Sequence, residues 1–386
     1  MAYSFSLNTR LHKTITGLLV IWLCGCLLTT AVYAQRIQTA FDVKLLARGL
    51  NHPWGMAFLP DGKMLVTERA GRLRIVAPDG RISEPVSNVP AVYHEKQGGL
   101  LDVALDPDFT ANRLIYLSYA EPVKTSDGTI ASTAVARAEL DGNSLKNLKV
   151  IFRQDPKTQG GQHFGSRLVF APDGNLFITL GDRGNHMEEA QNTDNHIGTI
   201  IRIRPDGSVP DDNPFVNDKK AKPEIWSYGH RSVQGAAIHP KTGELWIHEH
   251  GPRGGDEINI PKPGKNYGWP HASYGMHYSM IPIKDEHAEQ GYEEPIYYWT
   301  PSVAPSGMLF YTGGLFPGWR NSLFVGTLAG QHLIRLSVSE NKVLSEEQLL
   351  KNTLRFRDVE QGPDGAIYLL TDEDDGKILK LVPAAN

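Results

Sequence analysis

The stretch Gln159-Gly-Gly-Gln-His163-Phe-Gly-Ser-Arg-Leu-Val-Phe-Ala-Pro-Asp-Gly-Asn-Leu-Phe-Ile-Thr-Leu-Gly-Asp182-Arg-Gly contains two apolar runs separated by a Pro-Asp-Gly turn. The runs, 167–170 and 175–180, have the length and composition of strands, and so short a turn predicts an antiparallel hairpin. His163 precedes the first run and Asp182 follows the second. A hairpin places these two ends side by side, so we expect His163 and Asp182 to meet at its open end.

This histidine and aspartate form a candidate catalytic pair. A carboxylate beside an imidazole selects the ring tautomer and raises its basicity, which a general base requires. The alternative interpretation is a surface histidine next to an unrelated turn aspartate, and these two residues alone do not decide between the two.

A proline turn followed by a short apolar strand recurs six times, with 46 to 77 residues between successive prolines. The copies are marked by Pro60, Pro107, Pro172, Pro240, Pro317 and Pro363. Each copy predicts a small antiparallel sheet, which has to stack against neighbours to bury its faces. We therefore predict an all-β fold, a six-bladed β-propeller of four-stranded antiparallel sheets. A β-helix would need shorter units, and two β-sandwiches would need a linker that this sequence lacks.

The overall composition is that of a globular protein with many turns. The 386 residues include 38 glycines and 25 prolines, and the formal net charge is −4. This small negative charge argues against a nucleic-acid partner, which favours a basic face.

The N-terminal residues have the pattern of a secretory signal peptide. Basic residues between Arg10 and Lys13 precede an apolar run over 15–32, and small residues allow cleavage after Ala34. We expect a signal peptide over 1–34, a single propeller domain over 35–386, and a periplasmic or secreted protein without stable membrane insertion. An uncleaved membrane anchor and a lipoprotein attached within Cys24-Gly-Cys26 are the alternatives. Both cysteines lie in this segment, so the predicted mature chain can form no disulfide.

Unusual polar loops lie between the repeated strands. Corresponding loops of successive blades converge around the axis of a propeller, so we expect one pocket to contain Gln97, His163, Arg231, Arg355 and Arg357. Three arginines suit a ligand with several negative charges, because a guanidinium pairs with a carboxylate through two hydrogen bonds. A solvated strand face is the alternative for Arg355 and Arg357, which are two residues apart.

The loop after the fourth copy suggests a cation site. Gly251-Pro252 and Asp256-Glu257 could offer carbonyl and carboxylate oxygens to a hard cation such as calcium, although an ordinary glycine-rich turn has the same spacing. His248 and His250 alternate like transition-metal ligands, but the sequence shows no third ligand for them.

Taken together, these motifs resemble the soluble aldose sugar dehydrogenases, which are related to soluble quinoprotein glucose dehydrogenase and the glucose/sorbosone dehydrogenases. The resemblance extends over almost the whole predicted mature chain. Its most specific parts are Gln97-Gly-Gly-Leu, Gln162-His163 with Gly-Asp182-Arg-Gly, Gly229-His-Arg231, Glu249-His-Gly-Pro-Arg-Gly-Gly-Asp-Glu257-Ile-Asn, Lys265-Asn-Tyr267-Gly-Trp-Pro and Arg355-Phe-Arg357-Asp-Val.

The resemblance implies a six-bladed propeller that binds pyrroloquinoline quinone (PQQ), a tricarboxylate, together with calcium. It implies that His163 is the general base at the anomeric hydroxyl of an aldose, that Asp182 orients it, and that hydride passes to the quinone as the lactone forms. Arg231 is expected to steady negative charge on the quinone oxygen.

The same resemblance implies the binding residues. Those expected to contact the cofactor are Gln97, His163, Arg231, Ser232, Tyr278, Arg355 and Arg357. The carbonyls of Gly251 and Pro252 are expected to hold one calcium, which polarises the quinone, and Glu257 with the carbonyl of Tyr267 a second, structural one.

Two positions depart from the family pattern. Ser232 stands where the family usually has asparagine, and Ala329 stands where it usually has a lysine that meets a cofactor carboxylate. Both departures bear on cofactor affinity, whereas the candidate catalytic pair is intact.

The expected partners are an aldose substrate and an external electron acceptor, with the protein a monomer or a dimer. Two other functions fit a propeller of this kind. One is a catalytically silent propeller that binds sugar or protein, which loss of His163 or Asp182 would have favoured. The other is a calcium-dependent sugar lactonase, which needs a carboxylate-rich axial centre where these loops are basic.

Overall fold

The computed structural model describes residues 40–285 and 287–385, and the predicted signal peptide lies outside them. Six small antiparallel sheets are arranged as the blades of a β-propeller, which confirms the predicted fold class. In sequence order, β1 (Phe41–Leu50) comes first and the strands of blades one, two and three follow. Their strands are β2 (Pro53–Phe58), β3 (Met64–Glu68) and β4 (Arg72–Val76); β5 (Leu100–Leu105), β6 (Leu114–Thr125), β7 (Gly128–Asp141) and β8 (Ser144–Arg153); β9 (Leu168–Phe170), β10 (Leu176–Thr179), β11 (Thr199–Ile203) and β12 (Ile225–Tyr228).

Blades four, five and six follow, and β15 (Arg253–Gly254) pairs with β17 (Gly275–Met276) as a small additional ribbon. The blade strands are β13 (Val233–Ile238), β14 (Leu245–Glu249), β16 (Asp256–Asn259) and β18 (Tyr297–Trp299); β19 (Pro305–Phe310), β20 (Leu323–Thr327), β21 (Leu333–Ser339) and β22 (Lys342–Leu349); β23 (Phe356–Gln361), β24 (Ile367–Thr371) and β25 (Gly376–Pro383). β1 pairs with β25, from Phe41 opposite Pro383 to Leu50 opposite Gly376, and so completes blade six. The first blade and the last are therefore joined by the N-terminal strand.

Helices are short throughout the described part of the chain. They are α1 (Phe109–Asn112) and the 3₁₀ helices Met187–Gln191, Ala288–Gln290 and Pro317–Trp319. None of the described helices has the length and apolar character needed to cross a membrane.

Each of the six proline turns joins the first strand of a blade to its second strand. In the turn of blade three, the Asp173 carboxylate accepts a hydrogen bond from the Asn175 backbone N–H at 2.9 Å, and Gly174 takes a φ of +82°. The same aspartate-to-backbone bond forms from Asp61 in blade one and from Asp364 in blade six. The side chain and the glycine together close the turn, which explains the repeated Pro-Asp-Gly sequence.

The predicted fourth strand is missing from blade one. Beyond β4 one bridge, between Val76 and Ile82, continues the sheet of this blade, although Ser83 and Val86 donate backbone hydrogen bonds to β4; Ser87 instead bridges to Ser144 of blade two. The segment contains Pro78, Pro85 and Pro90, and proline has no N–H to donate to a sheet. This segment therefore covers the blade edge without forming a regular strand.

Burial is concentrated between blades rather than within them. Six apolar clusters each join residues of two neighbouring blades, and one of them packs Leu65 of blade one against Leu117 of blade two. The first strands β2, β5, β9, β13, β19 and β23 contact one another in a closed ring. The loops that lead into these strands consequently meet at one end of the axis, where the candidate site lies.

Candidate active site

His163 and Asp182 meet at the open end of the β9–β10 hairpin, as predicted. Nδ1 of His163 lies 2.6 Å from Oδ1 of Asp182, and the side chains are 12% and 1% exposed. An ionised carboxylate can only accept a hydrogen bond, so Nδ1 carries the proton in the neutral ring. The lone pair of the ring is then on Nε2, where it is available to an incoming proton.

Asp182 is held by further donors besides the histidine. Its Oδ2 accepts a hydrogen bond from Nε1 of Trp269 at 2.8 Å, and Oδ1 also accepts one from the Gly184 backbone at 2.8 Å. Burial works to raise the pKa of Asp182, but the hydrogen bond and charge of His163, with Arg231 and Gly184, outweigh it and hold the pKa below its usual value. The carboxylate therefore stays ionised and fixed in one orientation.

The backbone around His163 is tightly constrained. His163 has a φ of +51°, and its N–H donates to Oε1 of Gln97 at 2.7 Å. A Cβ on Gly181 would lie 2.3 Å from the His163 carbonyl oxygen, so only glycine permits this approach of the two loops. Gln97, which was expected to contact the cofactor, thus has its amide oxygen engaged in positioning the histidine loop.

Arg231 lies directly beside this pair. Its carbonyl accepts the Asp182 N–H at 2.8 Å, and its Nη1 donates to the carbonyls of His250 and Gly251 at 2.9 and 2.8 Å. Its Nη2 lies 3.4 Å from the hydroxyl of Tyr278, a residue that is 72% exposed at the rim.

Ser232 is buried like Arg231, and its side chain contacts another side chain. Its Oγ accepts a hydrogen bond from Nε2 of Gln234 at 3.3 Å. Gln234 in turn lines the axial cavity, so Ser232 lies behind the cavity wall.

A cavity of about 50 Å³ lies on the axis, and each of the six blades contributes a residue to its wall. The wall includes Trp54, Arg69, Gln97, Leu328 and Arg357. Phe164 and Gly165, next to His163, also line it, so the histidine pair and the cavity adjoin.

Arg355 and Arg357 converge on a carboxylate that the sequence did not suggest. Nη2 of Arg357 and Nη2 of Arg355 lie 2.9 and 3.3 Å from Oδ2 of Asp372. His52 contacts the other oxygen of Asp372 at 3.0 Å. The two arginines do lie on one side of the chain, but Arg357 is buried and lines the cavity, whereas the Arg355 side chain is 44% exposed and is not part of the cavity wall.

The first predicted calcium position is already engaged in the structure. The carbonyl oxygen of Gly251 accepts the hydrogen bond from Arg231, and both Gly251 and Pro252 are buried. A cation bound there would lie beside the positively charged guanidinium of Arg231, so this arrangement does not fit a calcium ion and we assign no step to one.

The second predicted calcium position fits a cation better. Glu257 and Tyr267 line a cavity of about 10 Å³, room for roughly one water or ion, together with Glu249. Burial raises the pKa of Glu257 well above its usual value, and the charge of Glu249 adds to this. Asn259 bridges the two carboxylates at 3.3 Å each. Among the described residues no three His, Cys, Asp or Glu side chains cluster as a metal site, so carbonyl oxygens would have to complete the coordination.

His248 and His250 do not form a transition-metal site. Nε2 of His248 lies 3.3 Å from the Gly307 carbonyl, and Nε2 of His250 lies 2.8 Å from the Pro305 carbonyl. Both histidines thus connect blade four to the backbone of blade five.

Several residues of the site were not anticipated from the sequence. Trp269 and Asp372 come from loops that are distant in sequence, and they contact Asp182 and Arg357, respectively. Arg183 contacts the loop that carries His163. The Arg183 guanidinium lies 3.6 Å from the centre of the Phe164 ring, and its Nη2 donates to the Gly160 carbonyl at 2.7 Å. The position of Arg183 directly after Asp182 was the one available signal for its role.

The fold and the site define a class of protein: a six-bladed propeller with a histidine–aspartate pair beside an arginine-lined axial cavity. Comparison with known proteins identifies the family. Residues 50–380 match the family model described as Glucose / Sorbosone dehydrogenase, and the chain belongs to that family.

The chain is 46% identical over 362 residues to aldose sugar dehydrogenase YliI of Escherichia coli strain K12, covering 92% of this chain and 96% of the relative. It is similar to a crystal structure of a glucose dehydrogenase at 52% identity and a TM-score of 0.85, covering 89% and 100% of the two chains. It is also similar to the PQQ-bound form of aldose sugar dehydrogenase from Streptomyces coelicolor, at 30% identity and a TM-score of 0.73, covering 89% and 98%.

The buried His248 predicts a pH dependence of stability. Burial lowers the pKa of His248 to about 3, whereas a histidine in an unfolded chain titrates near ~6.5. Between these values the unfolded chain binds more protons, so the free energy of unfolding should fall as pH falls, by up to about 1.4 kcal/mol per pH unit. Denaturant unfolding from pH 7 to pH 4 measures this slope. We expect His248→Gln to flatten this slope, whereas His271→Gln, which replaces an exposed histidine, should leave it unchanged. Equal slopes in His248→Gln and in the unchanged protein would contradict the lowered pKa of His248.

Proposed function

We propose that this protein is a PQQ-dependent dehydrogenase that oxidises the anomeric carbon of aldoses to lactones. The observation that carries the proposal is the contact of His163 with Asp182 at 2.6 Å beside an axial cavity rich in arginine. The aldose sugar dehydrogenase names of its relatives support the substrate class, and the PQQ-bound relative supports the cofactor.

His163 acts as the base in this proposal. Its Nε2 takes the proton of the anomeric hydroxyl, while Nδ1 keeps its hydrogen bond to Asp182 and the carboxylate stabilises the imidazolium that forms. The proton acceptor is in place before substrate arrives, because Gln97 fixes the backbone of His163 and Trp269 fixes the far oxygen of Asp182. When bound, PQQ supplies the acceptor for the hydride that leaves the anomeric carbon.

The donors around the cavity fit an anionic quinone. Nε of Arg231 and Nε of Arg357 are buried without a hydrogen-bond partner, and either could donate to a carboxylate or carbonyl oxygen. Arg231 would contribute a cation next to the histidine pair, whereas Arg355, Tyr278 and Ser232 would bind or support the cofactor from the rim and wall.

We further propose that one calcium ion lies between Glu249 and Glu257 and has a structural role. A divalent cation there would offset the repulsion between two buried carboxylates and accept the carbonyl oxygen of Tyr267 as a further ligand. An external electron acceptor would then reoxidise the cofactor, and the predicted signal peptide would place the enzyme in the periplasm or outside the cell.

Replacing the proposed base tests the function directly. With saturating PQQ and calcium, His163→Ala should lower kcat for aldose oxidation by roughly 10²- to 10⁴-fold, because it removes the proposed acceptor of the hydroxyl proton. Asp182→Asn should cost less, since it disturbs only orientation and charge stabilisation. Dye-coupled assays with a panel of aldoses give the rates.

The exposed His271→Ala is the matched control and should keep its rate. Excess cofactor is needed because Ala329 lacks the cation typical of the family. If unchanged protein binds PQQ yet oxidises no aldose, the function is wrong; if His163→Ala keeps the full rate, only the assignment of the base is wrong.

Calcium removal tests the structural cation. Chelation should lower the melting temperature, and added calcium should restore it, because a ligand of the folded state stabilises it by mass action. Glu257→Gln should abolish this calcium response, whereas exposed Glu340→Gln should keep it. If neither the chelator nor added calcium changes the melting temperature, no stabilising ion is bound.

A further inference from the structure

Arg69 occupies a position at the axial cavity that none of the sequence motifs indicated. It lies in the turn between β3 and β4 of blade one and lines the cavity together with Gln97 and Arg357. Its guanidinium is therefore placed among the groups that the proposed function assigns to the cofactor.

The Gln97-Gly98-Gly99 loop holds Arg69 in place. Nη1 of Arg69 donates a hydrogen bond to the carbonyl of Lys96, and the Arg69 carbonyl accepts the Leu100 N–H at 3.1 Å. A Cβ on Gly99, which has a φ of +150°, would lie 2.0 Å from the Arg69 carbonyl oxygen and 2.6 Å from its Cγ. Glycine at position 99 is thus what allows Arg69 to pack against this loop.

Arg69 is not neutralised within the part of the chain that the structure describes. Its neighbours Arg72 and Arg74 contact Glu68, at 2.7 and 3.8 Å, but no carboxylate lies within ion-pair distance of Arg69. Its Nε is buried and has no hydrogen-bond partner. A buried donor without an acceptor is costly to keep, which points to an acceptor supplied by a ligand.

The charges around the cavity lead to the same conclusion. Arg355 and Arg357 share the single carboxylate of Asp372, and Arg69 has no carboxylate partner among the described residues, so one carboxylate is matched to three guanidinium groups. Burial lowers the pKa of Arg357, and the charges of Arg167 and Arg69 lower it further against the opposing effect of Asp372. The cavity therefore carries excess positive charge that an anionic ligand would offset.

We propose that Arg69 is a binding residue for a carboxylate of the quinone cofactor, an inference that rests on the proposed function. Its Nε and the free side of its guanidinium would donate to the carboxylate, while Nη1 stays anchored to Lys96. The wall of this cavity also includes Leu328, which precedes Ala329, the position where a lysine was expected. Arg69 would therefore provide a positive charge in a cavity where that lysine is missing.

The test is a direct binding titration that needs no turnover. Metal-supplemented protein without cofactor is titrated with PQQ at low and high salt, and binding is followed by quinone absorbance and tryptophan fluorescence. Arg69→Gln should weaken PQQ binding roughly 10- to 100-fold at low salt, as expected for loss of a charge-assisted contact. Its affinity should also depend less steeply on salt than that of unchanged protein.

Arg81→Gln removes the same charge from an 83% exposed side chain and should change the Kd less than about twofold. Thermal melting of each variant without cofactor verifies that it folds.

If Arg69→Gln does not fold, Arg69→Lys replaces it. This variant keeps the charge but lacks the Nε donor, and its affinity for PQQ should fall about 3- to 10-fold.

Unchanged PQQ affinity and salt dependence in whichever Arg69 variant folds would overturn the inference while leaving the proposed function intact. If unchanged protein itself fails to bind PQQ, the proposed function falls, and the inference falls with it.

Discussion

The site depends on the buried carboxylate of Asp182. Donors from different parts of the chain meet on its two oxygens: His163 and Gly184 on Oδ1, and Trp269 on Oδ2. A buried carboxylate is tolerated only when its oxygens are satisfied, and these bonds also keep its pKa low. The imidazole is therefore held in one tautomer with its free nitrogen directed away from the carboxylate.

The propeller provides the convergence that such a site needs. Six first strands form a ring, so loops far apart in sequence end beside one axial cavity. The cavity is basic because Arg355 and Arg357 share the one carboxylate of Asp372 and Arg69 has no carboxylate partner among the described residues, and keeping these charges without partners lowers the stability of the folded chain. Binding of a polyanion would offset that cost, and this links the fold to an anionic cofactor. The wall of this cavity contains no carboxylate and is therefore unlike the carboxylate-rich metal centre that a lactonase would need.

Local features could be predicted from the sequence, and non-local ones could not. The hairpin that joins His163 to Asp182 spans few residues and is closed by a recognisable turn, so its open end was predictable. Trp269 is 87 residues from Asp182, and only the packing of blade three against blade four brings them together. The same holds for Asp372 and Arg69, for the β1–β25 closure, and for the irregular edge of blade one, where three prolines prevent a strand.

Single-turnover reduction of the bound quinone is the most direct test of the central claim, that this His–Asp pair and arginine cavity oxidise aldoses through PQQ. Protein loaded with one equivalent of PQQ is mixed with an aldose in the absence of oxygen and of any electron acceptor. The quinone absorbance should disappear in one phase while an equal amount of lactone forms. A quinone that stays bound and oxidised with every aldose in a broad panel would contradict the claim.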